Sequence, residues 1–152
     1  MEKNYSVVTY NDFAKEVMAQ FKYRGDYVLA YVIAPLIKKK LTLIPFNSIV
    51  PIPLSNERQY ERGFNQTEGI IRACRYTPAD VLTRTHTEKQ SKKSRSERIH
   101  LEQVFQIKNP VSNQKILLID DIYTTGSTLR HAAKCLKAAG AQTVRSLTFI
   151  RG

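Results

Sequence analysis

Apolar positions along this chain switch between two spacings. Between residues 11 and 40 they recur every three or four positions. Phe13, Val17 and Phe21 fall on one face of a helix expected over 12–21, and Asn11 stands where an N-cap is needed. A second helical pattern runs over 27–40, bent or restarted near Pro35. From residue 48 onward, short unbroken apolar runs alternate with amphipathic stretches. Residues 48–52 predict a buried strand stopped by Pro51 and Pro53, and 59–76 a helix with Ile70, Ile71 and Cys74 inward. A short strand is expected at 80–83, a weakly alternating edge strand at 103–107, and the strongest strand at 115–119. A helix over 126–139, closed by Gly140, precedes a last strand at 143–150.

This alternation implies an α/β fold with an open, mainly parallel sheet and helices on both faces. Residues 1–47 read as a small helical hood and 48–152 as the sheet core, all within one domain. Ligands bind such sheets at the carboxyl ends of the strands. Two loops meet that condition, after Ile52 and after Ile119.

The interval 84–100 breaks the pattern. It holds Arg84, Lys89, Lys92, Lys93, Arg95 and Arg98 with almost no apolar residue, and reads as a mobile loop. The whole chain carries 24 Lys and Arg against 13 Asp and Glu, a formal charge of +11. That excess suits a polyanion or an anionic substrate. Lys38, Lys39 and Lys40 end a helix, so they complement its dipole before they suggest a nucleic-acid patch. Cys74 and Cys135 are too few for a disulfide framework or a zinc ribbon, and read as buried thiols in a reducing, cytoplasmic compartment. No signal sequence or membrane-length apolar run is present, so no membrane insertion is expected. His86, His100 and His131 have no metal-ligand spacing.

The chemistry concentrates at 115–128, KILLIDDIYTTGST. Four aliphatic residues, Ile116 to Ile119, run into Asp120 and Asp121, and Thr124, Thr125, Gly126, Ser127 and Thr128 follow at the opening of a helix. The first N–H groups of a helix lack internal acceptors and can hold a phosphate, helped by the dipole. Hydroxyls add donors, and Gly126 lets the backbone close around the anion. Ionised carboxylates accept from the vicinal hydroxyls of a ribose, and they can hold Mg²⁺ directly or through water. At a strand terminus the chain is expected to turn, so that both acids serve one ligand. The loop has no lysine and lacks the spacing of a nucleoside-triphosphate P-loop.

This string resembles the phosphoribosyl-pyrophosphate (PRPP) motif of type I phosphoribosyltransferases, with Ser127 where Gly or Ala is usual. The segments 22–26 (KYRGD), 51–55 (PIPLS) and 62–66 (RGFNQ), followed by Arg84, Gln90, Arg95 and Arg98, are similar to the ComF family linked to competence for DNA uptake. The resemblance implies a type I phosphoribosyltransferase-like fold. It assigns the ribose hydroxyls to Asp120 and Asp121, the 5-phosphate to residues 124–128, and pyrophosphate to a loop at Pro51, Ile52 and Pro53. Arg62, and less strongly Arg58, would add charge there. Asn65 and Gln66 are read as holding loops together, and Phe64 as core. Mg²⁺ would accompany PRPP. Zinc is not implied, because the four-cysteine module with which many relatives begin does not occur in this sequence.

Three functions share that pocket. The first is a PRPP-binding protein of DNA uptake that contacts single-stranded DNA and other uptake proteins. The second is an active Mg²⁺-dependent transferase moving ribose 5-phosphate to a base or other nucleophile. The third is a non-catalytic PRPP sensor. The basic loop 84–98 reads as a lid over pyrophosphate, as a grip on DNA, or as a disordered segment with no specific task. The acceptor and the oligomeric state have no signature in the sequence.

Overall fold

A computed structural model describes residues 1–23, 27–85 and 104–152. Among the described residues, four strands form the main sheet: β1 (Asn4–Thr9), β2 (Ser48–Pro51), β5 (Lys115–Tyr123) and β6 (Thr143–Arg151). Their order is β1-β6-β5-β2, and every neighbouring pair is parallel. All carboxyl ends therefore lie along one edge. β1 was not expected, since residues 1–47 read as helical. Its alternation is shallow, with no residue of the strand fully buried, and only pairing with β6 defines it.

Helices cover both faces. On one side α1 (Asp12–Tyr23), α2 (Leu29–Leu41) and α4 (Gln66–Ala73) bury Met18, Phe21, Ile33, Ile37, Ile70 and Cys74 against Leu117, Ile119 and Leu147. On the other, α5 (Ser127–Ala138) buries Leu129, Ala132, Ala133 and Leu136 against Val50, Ile116, Leu118 and Val144. Aliphatic runs buried on both faces are what a parallel sheet under two helical layers requires. Asn11 caps α1, its Oδ1 accepting from the N–H of Ala14 at 2.8 Å. Gly140, at φ 93°, ends α5 in a Schellman turn: its N–H donates to Lys137, and that of Ala141 to Leu136.

Two expectations change. The helix expected over 59–76 is two helices, α3 (Asn56–Arg62) and α4. Gly63 adopts φ 76° and donates to Gln59, ending α3, and the Asn65 side chain accepts from the N–H of Thr67 to start α4. The strands expected at 80–83 and 103–107 do not join the main sheet. Leu82–Arg84 (β3) and Phe105–Ile107 (β4) form a separate antiparallel ribbon whose Leu82 and Phe105 pack toward α5. No helix among the described residues is long and apolar enough to cross a membrane.

Candidate sugar-phosphate site

The acidic pair lies inside β5, not in a turn after it. β5 continues pairing with β6 through Tyr123, opposite Arg151. β5 keeps one register with β6 from Lys115 to Tyr123. Leu117 and Ile119 pack on the α1–α2–α4 side, and Ile116 and Leu118 on the α5 side. The two acids share one cation: Lys22 pairs with Asp121 and acts electrostatically on Asp120. The N–H of Asp121 donates to Oδ1 of Asp120 at 2.9 Å.

Asp120 is pushed up to a pKa of about 7. Burial is the main cause and the neighbouring Asp121 carboxylate adds to it. The Asp121 backbone N–H and the Lys22 ammonium oppose the rise. Lys22 stands in the last turn of α1, and its Nζ lies 2.5 Å from Oδ2 of Asp121, with both side chains largely buried. Sequence reasoning gave Lys22 no role of its own, only a place in the KYRGD segment. A lysine ending a helix has an ordinary explanation in the dipole, and nothing local in the sequence links residue 22 to residue 121.

The loop after β5 turns tightly. Gly126 is buried at φ 72° and acts as the N-cap of α5. Thr125 Oγ1 accepts from the N–H of Ser127 at 3.3 Å, and the Thr125 carbonyl accepts from the Arg130 guanidinium. Thr124, Thr125 and Ser127 are exposed and Thr128 is partly buried, so these hydroxyls stand at the accessible opening of α5.

The loop after β2 is fixed beside the same acids. Pro51 pairs with Ile119, one residue before Asp120. The N–H of Ile52 donates to the Ile119 carbonyl at 3.0 Å, while the Ile52 carbonyl accepts from Asn65 Nδ2 at 3.1 Å. Asn65 therefore does hold two loops together. Gln66 takes its bond from Arg62, whose Nη1 donates to Gln66 Oε1 at 3.0 Å. Gln66 Nε2 is buried with no partner among the described residues. Phe64 packs against Phe21 and Tyr27, with ring centroids 5.7 and 5.1 Å apart, as core.

Arg84, at the end of β3, comes close enough to interact electrostatically with both Arg58 and Asp120. Its pKa is lowered, chiefly by burial and then by the Arg58 charge, while Asp120 acts in the opposite direction. Arg84, expected in a mobile lid or DNA contact, instead ends strand β3, where pairing with Phe105 holds it within electrostatic reach of Asp120. Arg58 acts on Arg84, and Arg62, expected at the pyrophosphate loop, donates to Gln66. Lys89, Lys92, Lys93, Arg95 and Arg98, expected in the same lid or DNA contact, lie outside the described residues.

A parallel sheet carrying an acidic pair and a hydroxyl-rich helix opening at its carboxyl edge defines a class, and comparison with known proteins agrees. Residues 65–152 match the phosphoribosyl transferase domain, and the chain belongs to that family. Within it the chain is a ComF-type member. It is 40% identical to competence protein ComFC of Streptococcus pneumoniae, over 96% of this chain and 67% of the relative. It is 42% identical to ComFC of Bacillus subtilis, over 99% of this chain and 65% of the relative. The DNA utilization protein YhgH of Escherichia coli K12 is 30% identical over 64% of the chain and 46% of its own length. The chain thus spans about two thirds of the ComFC relatives. A solved structure described as the allosteric regulatory enzyme of purine biosynthesis superposes with a TM-score of 0.52 at 15% identity, covering 84% of this chain and 25% of that one, a likeness of fold.

Proposed function

We propose that this protein binds PRPP and acts in DNA uptake for competence. The observation that carries the reading is the acidic pair of β5 set directly before the Gly126 turn and the opening of α5. In this reading Asp120 and Asp121 accept from the ribose hydroxyls, and residues 124–128 hold the 5-phosphate. The pinned loop at Pro51, Ile52 and Pro53, with Arg58 and Arg84, meets the pyrophosphate; Arg62 supports that loop through Gln66. The role in uptake is supported by the competence and DNA-utilization names of the relatives.

The residues fit a metal that arrives with the substrate. Mg²⁺ is usually held by one or two carboxylates together with substrate phosphates. Asp120 and Asp121 supply two, and no group of three or more His, Cys, Asp or Glu side chains suited to a protein-only cage occurs among the described residues. Bound Mg²⁺ would neutralise charge on the pyrophosphate.

Turnover is a second reading, favoured by the setting of the β2 loop: Pro51 pairs with Ile119 and the Ile52 N–H donates to it, so a pyrophosphate held there would lie next to the sugar at Asp120 and Asp121, in place to leave. Titration with PRPP and Mg²⁺ tests the common site. Asp120→Asn/Asp121→Asn is expected to bind at least tenfold more weakly, and equal affinity rejects the assignment. Pyrophosphate release across a panel of bases then separates a transferase from a binding or sensing protein. Single-stranded DNA binding that falls with salt, and falls again on neutralising Lys92, Lys93 and Arg95, supports contact through that segment. Unchanged DNA binding in that variant argues against it.

A further inference from the structure

We propose that Lys22 is the resident counter-ion of the acidic pair, a positioning residue that occupies Asp121 until a cation or sugar diol displaces it, and so ties α1 to the state of the site. This rests on the reading of Asp120 and Asp121 given above.

The geometry is specific. Lys22 Nζ stands 2.5 Å from Asp121 Oδ2, with side chains only 16% and 15% exposed. At that exposure the pair is shielded from the solvent that makes surface ion pairs weak. Its partners are 99 residues apart in sequence, so the contact joins the end of α1 to the carboxyl end of β5. Lys22 also acts electrostatically on Asp120, so one ammonium serves both acids. Among the described residues it is the one cation in an ion pair with either carboxylate.

Two consequences follow from charge and hydrogen-bond chemistry. A carboxylate oxygen engaged at 2.5 Å by an ammonium is a poorer acceptor for a ribose hydroxyl and a poorer ligand for a divalent cation. The protein then discriminates against free cations, and a ligand that brings its own metal and several anchoring groups can overcome the tie. When it does, the last turn of α1 loses its anchor, and Lys22 is freed to meet the anionic part of the ligand. Occupancy is thereby transmitted to the α1–α2 layer through a discrete contact.

Mn²⁺ alone is the probe, followed by electron paramagnetic resonance on wild type, Lys22→Met, Lys22→Arg and Asp121→Asn. Lys22→Met is expected to bind Mn²⁺ several-fold more tightly than wild type, Lys22→Arg like wild type, and Asp121→Asn more weakly than Lys22→Met. Equal Mn²⁺ affinity in wild type and Lys22→Met, or no binding in any variant, overturns the proposal. Hydrogen exchange supplies a readout that needs no ligand. The last turn of α1 should exchange faster in Lys22→Met and Asp121→Asn to the same degree, with no further gain in the double variant. Additive gains, or none, also count against the tie. Should PRPP bind no variant while both Lys22 effects appear, the PRPP reading fails and the counter-ion role stands.

Discussion

The ring of Tyr123 lies where a side chain on Gly126 would have to be: a Cβ built there meets Tyr123 Cζ and Oη at 2.5 Å. Gly126 also holds φ 72°, which other L-residues adopt with strain. Two independent reasons thus require glycine at the turn. Gly126→Ala is expected to lower stability by about 1–3 kcal/mol and to weaken ribose 5-phosphate binding. Adding Tyr123→Leu should recover part of the loss by removing the clash, but not the part due to φ. Denaturant melts of the single and double variants measure both terms; full recovery would show that the backbone conformation costs nothing.

Asp120 makes stability depend on pH in an unusual direction. Its carboxyl has a pKa of about 7 in the folded chain, against about 3.9 when unfolded. The native state therefore binds more protons than the unfolded state between those values, and this group's contribution falls as pH rises from about 4 to 7. Asp120→Asn keeps an oxygen for the Asp121 N–H and removes the charge. It should raise the melting temperature at pH 8, by about 2–4 °C for each kcal/mol relieved, and lose that advantage near pH 4. A constant difference across the range would remove Asp120 as the cause.

Arg58 and Arg84 are expected to act on the pyrophosphate end alone. Arg58→Gln and Arg84→Gln should each weaken PRPP and inorganic pyrophosphate by about 1.5–3 kcal/mol per lost charged hydrogen bond. Ribose 5-phosphate should bind as before. Calorimetry with the three ligands separates the ends, and an equal loss for ribose 5-phosphate would place the arginines elsewhere.

Asn65 performs two bonds with one side chain, capping α4 and holding the Ile52 carbonyl. Asn65→Ala should destabilise by about 1–3 kcal/mol. Asn65→Asp retains an oxygen for the cap but sets a carboxylate oxygen against the Ile52 carbonyl. It should fold better than the alanine variant near pH 3 and no better near pH 7. Urea titrations at both values provide the comparison.

Much of this arrangement was legible in the chain because its signals are local. Ile116 to Ile119 read as a buried strand, the helix expected over 126–139 followed from its period and lies at Ser127–Ala138, and Gly140 marked its end. The acids and the hydroxyl turn were contiguous, so the candidate site read directly from 115–128. What escaped depends on distant partners. β1 carries strand-forming residues, Tyr5, Val7, Val8 and Thr9, but no fully buried position marks one face, and it is defined by pairing with β6. Lys22 meets Asp121 across 99 positions of sequence. The split of 59–76 had a local signal, Gly63 followed by Asn65, but the helical period on either side masked it.

The position of β6 has a consequence for how the chain reaches this state. β6 is the last strand in chain order, yet it lies between β1 and β5. Until residues 143–151 have been synthesised, β1 has no neighbour in the sheet and β5 has only β2. The helices can collapse early around local contacts, but the edge that carries the acids cannot be completed on a nascent chain. Contacts as remote as Asn4 with Ser146 close last and slow folding. A ribosome-bound chain lacking that strand would present β1 and one side of β5 unpaired, a template for pairing with other chains.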